Sequence, residues 1–425
     1  MSRRLAVLVR SLALPLAAAF LAGGAPVEGA PPAAGHAVRV VPLDGDAFEA
    51  PLLEITAESL RLEGRDAPVP LAEVRELRFA PDAAPAPLPD SERGLRVVLR
   101  GGETVRGSFV TGGAEGITIR PPGLATVRLP FDVIRRVEAE APTRGPCDEP
   151  GRDRPPRQGA DVAWTRTGDA YAGTVARAGP DGVVVESDGD ERVVPWADLL
   201  VLHLDEPEMA RPQGLAAEVD TAGGSRWTGT VTKFSSDGLA VRTRSGLEVV
   251  VPREALVVVR WSGGRFVYAS DLAFTSTFTP YYQDDLLDPA WLERWYGARA
   301  DRTPGGCPLR VGGVSHRHGI AVHSASKVEL PLDGGYARFE ARFGIDDEAL
   351  EASEGPRGDV TARVLADGRE VWTSGGSVKG GEAARVVGPI DVTGVAKLVL
   401  EVGFGAEQHQ MDRADWADPV LVRSK

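Results

Sequence analysis

Gly45, Gly102, Gly168 and Gly224 each open a segment with one layout, and this internal repeat constrains the larger N-terminal part of the chain more than any other feature. Five residues after each of these glycines stands Ala50, Gly107, Gly173 or Gly229. An apolar-proline pair then closes the unit: Val69-Pro70, Leu129-Pro130, Val194-Pro195 and Val251-Pro252. The interval from the first glycine to the proline is 25, 28, 27 and 28 residues, a regularity that unrelated loops do not produce. Between the landmarks run strand-like segments such as Arg96-Val97-Val98-Leu99 and Val183-Val184-Val185-Glu186, with Gly/Asp turns between them. Each unit is therefore expected to close into a small five-stranded barrel, SH3-like or Sm-like, a shape that removes exposed sheet edges. The units are residues 36–80, 94–140, 159–206 and 214–266. Pro/Arg-rich stretches at 81–89 and 142–156 read as stiff linkers, with units two and three the best separated. Trp164, Trp196, Trp227 and Trp261 occupy different positions in their repeats, which points to core or rim packing rather than a shared ligand. The repeats are expected to be a spacer; the rival reading is that they bind a peptide or an envelope component.

The first residues pair Arg3, Arg4 and Arg10 with the apolar run Ser11–Gly23, the pattern of a secretory signal within residues 1–30. That run is shorter than the ~20 residues a bilayer span requires, and no later segment supplies one. The expectation is a secreted, periplasmic or cell-envelope protein with no membrane span after signal removal. The net charge of −13, without a clustered basic stripe, argues against a nucleic-acid partner, because neutralising phosphates supplies most of that affinity. Cys147 and Cys307 lie far apart and imply neither a zinc site nor a disulfide framework, though an oxidising compartment would permit one bridge.

From residue 270 to 425 the texture changes, and no repeat landmark recurs. Phe339, Ala341 and Phe343 alternate with Arg338, Glu340 and Arg342, and Leu398, Leu400 and Val402 show the same period of two, giving each strand one apolar and one solvated face. Asp367-Gly368 between Thr361–Leu365 and Glu370–Trp372 is a two-residue hairpin signal. Asp288 as N-cap, Pro289 in the first turn, and Trp291 and Trp295 four apart predict one short helix docked on a sheet. The chain is thus expected to be all-β: tandem small barrels followed by a C-terminal antiparallel β-sandwich of jelly-roll type.

Three stretches of this last region carry a family resemblance. They are Gly319-Ile-Ala-Val-His323-Ser324 leading to Val328-Glu329-Leu330; Tyr336-Ala-Arg-Phe339 through Phe343-Gly344-Ile345-Asp346-Asp347-Glu348; and Asp412-Arg-Ala-Asp415-Trp416-Ala-Asp418, with Asp391-Val-Thr-Gly394 upstream. In order and spacing they resemble the NPCBM family of carbohydrate-binding modules, with Arg413 where the family commonly has His. The resemblance implies a galactose-binding-like sandwich and a glycan ligand, with an envelope protein or a glycoside hydrolase as a further partner. It places His323, Asp346, Asp347, Asp412, Asp415 and Trp416 at strand ends, where sandwich loops gather, as candidate carbohydrate-binding residues. Sugar recognition uses carboxylates to bridge hydroxyls and an aromatic face to cover the ring's C–H side. For Asp415-Trp416 a structural alternative stands beside this, with the indole in the core and the carboxylate at a turn.

Asp412, Asp415 and Asp418 offer hard oxygen ligands for a structural calcium. His316, His318 and His323 raise the question of a second metal site, which lacks a fourth ligand. No Gly-x-Ser-x-Gly, His-Glu-x-x-His or phosphate-cradling glycine loop is present, so the chain reads as non-catalytic. A carboxylate pair such as Asp347 and Asp415 is the one arrangement that would suit glycoside hydrolysis.

Overall fold

The computed structural model describes residues 36–80, 88, 94–140, 156–205, 214–281, 288–351, 358–406 and 409–424. The signal-like residues 1–30, Cys147 and most of both linkers lie outside this set. Cys307 is disulfide-bonded. Among the described residues no helix is long and apolar enough to cross a membrane.

Each repeat is a five-stranded antiparallel meander in which the first strand pairs with both the second and the fifth. In repeat 1 the strands are His36–Pro42, Phe48–Ile55, Ser59–Leu62, Val69–Pro70 and Val74–Arg78. The first landmark glycines sit in the hairpin turn after the opening strand, at φ between 82° and 98°, where a side chain would be strained. In every repeat the second strand carries a bulge against the third, which bends it. The apolar-proline pair ends the fourth strand, and Pro70, Pro130 and Pro252 each introduce a 3-10 turn that reverses the chain into the fifth strand. Trp227 and Trp261 are fully buried and Trp196 nearly so, as core packing requires.

The repeats do not stand apart as linked beads. The fifth strands of repeats 2 and 3 pair with each other (Arg136↔His203, Val137↔Leu202, Glu138↔Val201), so the two units best separated in sequence are joined in space. The fifth strands of repeats 4 and 1 pair likewise (Val258↔Arg78, Val259↔Leu77, Arg260↔Glu76). Repeats 2 and 4 meet at Arg226↔Thr104 and through the Glu103 carboxylate, which accepts from the Ser245 N–H (3.0 Å) and Oγ (2.7 Å). The expectation that each unit removes its own edges is corrected here: the fifth strand keeps a free edge and another repeat covers it, which satisfies its backbone groups equally well.

The C-terminal region is a sandwich of two antiparallel sheets. One contains Gly319–His323, Tyr336–Ile345, Arg385–Asp391 and the long strand Arg413–Arg423; the other contains Thr275–Phe278, Ser326–Pro331, Asp359–Ala366, Arg369–Thr373 and Lys397–Phe404. The alternating Phe339, Phe343, Leu398, Leu400 and Val402 fill the space between them. Asp367 and Gly368 both have positive φ (47° and 82°), the two-residue hairpin that their identity predicts. Phe266–Tyr268 already pairs with Val420–Val422, so this sheet begins a few residues before position 270.

The sandwich packs against repeats 1 and 4. Leu43 of repeat 1 joins Phe266, Tyr268, Val420 and Val422 in a small separate core. Around it, Arg75 meets Glu340 (2.6 Å), Arg338 meets Asp44 (2.7 Å) and Arg317 meets Glu218 (3.4 Å). Sheet pairing and ion pairs thus tie the repeats and the sandwich to one another.

Candidate functional site

One end of the sandwich gathers the end of Gly319–His323, the end of Tyr336–Ile345, the start of Arg413–Arg423, the end of Lys397–Phe404 and the start of Asp359–Ala366. The helix Pro289–Tyr296 lies at this end, capped by Asp288, whose Oδ1 accepts from the Ala290 N–H at 2.9 Å. Tyr296 packs on Phe278 (5.8 Å between ring centres) and on the His323 imidazole (4.4 Å). Trp291 is 47% exposed, so the helix docks through Tyr296 and leaves this indole facing outward. Arg413 lies 5.2 Å from the centre of the Trp295 ring and pairs with Glu348 at 3.0 Å, linking the helix to the loop after Ile345. Beside them the exposed Tyr281 stacks on His409 (4.9 Å, 10° between planes) and meets Phe404 edge-on (5.4 Å). Open aromatic faces next to hydrogen-bonding side chains suit a ligand with one apolar and one polar side.

The residues singled out from sequence lie mostly beneath this rim. His323 is buried; its Nδ1 is 3.3 Å from Ser324 Oγ, and burial lowers its pKa to about 4, leaving a neutral imidazole at physiological pH. Asp346 accepts from the Arg310 N–H (2.9 Å) and the Glu348 N–H (2.7 Å). Asp347 accepts from the N–H groups of Gly312 (3.1 Å) and Gly313 (2.8 Å) and from Arg310 Nε (3.0 Å). These two carboxylates hold the hairpin Leu309–His316 to the sheet. Asp412 Oδ1 accepts from the Asp359 N–H at 2.9 Å. Trp416 is 0% exposed, with Phe343 at 4.6 Å and Trp372 at 6.0 Å, so its ring belongs to the core and presents no face to a ligand.

Asp415 is buried, and among the described residues neither of its oxygens meets a donor in good hydrogen-bond geometry; burial, followed by the field of the adjacent Asp346 and a shared proton contact with it, then by Glu348 and Asp347, pushes its pKa well above the usual 3.8. Above pH 3.8 the unfolded chain releases a proton that the folded chain retains, so rising pH weakens the fold until the folded-state pKa is passed. Asp415→Asn is expected to stabilise the protein by a margin that widens by about 1 kcal/mol per pH unit across that window. Thermal melts from about pH 4 to about pH 7 would check this, and a margin independent of pH would contradict it.

The calcium reading does not hold in the fold. Asp412, Asp415 and Asp418 lie along one extended run at about 3.3 Å per residue, so the first and last are well over 10 Å apart. Asp418 is instead 2.7 Å from His316 Nδ1. The three histidines also diverge: His316 pairs with Asp418, while His323 packs on Tyr296. His318 stacks on Tyr268 (3.7 Å) between Asp301 (3.7 Å) and Glu218 (3.9 Å). Burial opposes its charge, but Asp301 and Glu218 outweigh burial and raise its pKa. Among the described residues, Asp271, Asp301 and His318 do bring three ligand atoms within 4.8 Å of one another.

Sequence reasoning missed Tyr281, Phe404, His409 and Glu348. The available signal was the sequence Pro280-Tyr281-Tyr282, an aromatic pair that follows the strand Thr275–Phe278 after Thr279.

A β-sandwich with an aromatic, loop-built end is the class of module that this region defines. Residues 267–422 match the NPCBM/NEW2 domain. The chain is 30% identical over 157 residues to a Renibacterium salmoninarum protein named "Putative endo-alpha-N-acetylgalactosaminidase", covering 37% of this chain and 10% of that one. It is 31% identical over 122 residues to alpha-1,3-galactosidase B of Akkermansia muciniphila, covering 28% and 15%. The chain thus spans a small fraction of the curated relatives it matches. A solved CBM51 module from Clostridium perfringens GH95, in complex with methyl-galactose, is similar over 37% of this chain and 99% of that one, at 22% identity and a TM-score of 0.29.

Proposed function

We propose that this protein is an exported, non-catalytic carbohydrate-binding protein whose sandwich holds a glycan at its aromatic end. The observation that carries this reading is the stacked, exposed Tyr281 with His409, Phe404 and the open Trp291, all at the loop end of a region that matches the NPCBM/NEW2 domain. A sugar ring laid on Tyr281 would bury its C–H face there and leave its hydroxyls to side chains at the rim. The basic start and apolar run of residues 1–30 support export. The non-catalytic reading is supported by the engagement of Asp347 with three N–H donors and by the burial of Asp415, which deny the candidate acid-base pair access to a substrate. In this reading the fused repeats hold the module rigidly, and a glycoside hydrolase or envelope protein is the class of partner that would use it.

The test is a glycan array followed by calorimetry on the intact chain, with Tyr281→Ala as the probe. Loss of one stacking ring is expected to weaken binding at least about tenfold, or about 1.4 kcal/mol, with an unchanged melting temperature. Binding to no glycan, or binding insensitive to Tyr281→Ala, would reject the assignment.

A further inference from the structure

We infer that the cleft between repeats 1 and 4 and the sandwich is a second binding site, built for the carboxylate or sulfate group of an acidic saccharide. The cleft encloses about 460 Å³, and Arg75, Arg78, Arg260, Arg317, Arg342 and His316 reach into it. That volume lies in the range of small-ligand sites. Two carboxylates line the same space, and both are engaged: Glu76 pairs with Arg78 (2.8 Å) and Arg260 (3.2 Å), and Asp418 with His316 (2.7 Å). Arg75, Arg260 and Arg317 are also held by carboxylates behind the cleft wall, Glu340 (2.6 Å), Asp220 (2.6 Å) and Glu218 (3.4 Å), so among the described residues the free guanidinium is that of Arg342. Arg342, exposed on the strand Tyr336–Ile345, has no carboxylate in ion-pair contact among the described residues. The concentration of guanidinium groups runs against a chain whose net charge is −13.

Guanidinium forks match the two coplanar oxygens of a carboxylate, or two oxygens of a sulfate, and bind them bidentately. Val311, Val420 and the Tyr268 ring supply apolar wall beside the arginines, the combination that a sugar acid presents in mirror image. Arg78 and Arg260 come from the paired fifth strands of repeats 1 and 4, and Arg342 and Val311 from the sandwich, so the isolated sandwich has only part of this site. The saccharide half of the inference rests on the proposed function; the oxyanion half does not.

The experiment is calorimetry on the intact chain at low salt with galacturonate trimer, inorganic sulfate and a neutral galactose trimer, repeated on R342Q, Ala384→Glu and Tyr281→Ala. Galacturonate trimer is expected to bind, to weaken at least about tenfold in R342Q, and to be abolished by the carboxylate placed on the cleft wall in Ala384→Glu. Its affinity should fall as salt rises through about 0.5 M and be unchanged in Tyr281→Ala. Binding of sulfate alone would overturn the saccharide and leave a free-anion site. Binding indifferent to both cleft variants, or no oxyanion binding at all, would overturn the site. Tyr281-dependent binding of the neutral trimer would in that case leave the proposed function standing.

Discussion

Trp416→Ala is expected to destabilise the sandwich by about 3–5 kcal/mol, and its effect on any ligand should follow from unfolding alone. The indole is fully buried between Phe343 and Trp372, and among the described residues its Nε1 has no hydrogen-bond partner. Its whole contribution is therefore packing, offset by one unsatisfied N–H. Trp416→Phe should cost much less, because it removes that polar group and retains most of the ring contact. Denaturant melts of both variants would separate core from site. A Trp416→Ala protein with native stability and lost glycan binding would return this residue to the binding surface.

Gly229→Val in repeat 4 is expected to cost about 3 kcal/mol or more. A Cβ at Gly229 would lie 2.0 Å from the Arg242 carbonyl oxygen, and at Gly173 the same distance from that of Glu186. These oxygens belong to paired strands and have no room to retreat without breaking the ladder. Repeat 1 supplies the control, because Ala50 holds the same landmark. There the third strand stops at Leu62 and the chain turns at Gly64 (φ 77°), whereas the third strands of repeats 3 and 4 run on to Ser187 and Thr243. Ala50→Gly should accordingly lose only about 0.5–1 kcal/mol. Chemical melts that place Gly229→Val within about 1 kcal/mol of the parent would show that the bend does not require glycine.

Much of the local architecture was legible before folding. The hairpin at Asp367-Gly368, the cap at Asp288 and the alternation through Phe339, Ala341 and Phe343 depend on neighbouring residues and on the period of a strand, which local sequence encodes directly. The candidate site was harder to read. Asp346 and Asp347 stood at the expected strand end, yet their oxygens bind the backbone of the hairpin Leu309–His316 rather than facing a ligand. Nothing local distinguishes these two uses of a carboxylate, since the deciding partners lie more than thirty residues away. Tyr281 and His409 are separated by most of the sandwich and come together only when its loops close at one end.

The repeat, the turn glycines, the all-β character and the NPCBM-like motifs can all be read along the chain, because each is written in the spacing of its residues. The pairing of repeat 1 with repeat 4 and of repeat 2 with repeat 3, the docking of the sandwich on the first of these pairs, and the convergence of arginines from several elements on one cleft emerge only in the folded chain. Strand edges all present the same backbone donors and acceptors, so the choice among them falls to long-range packing and charge pairing.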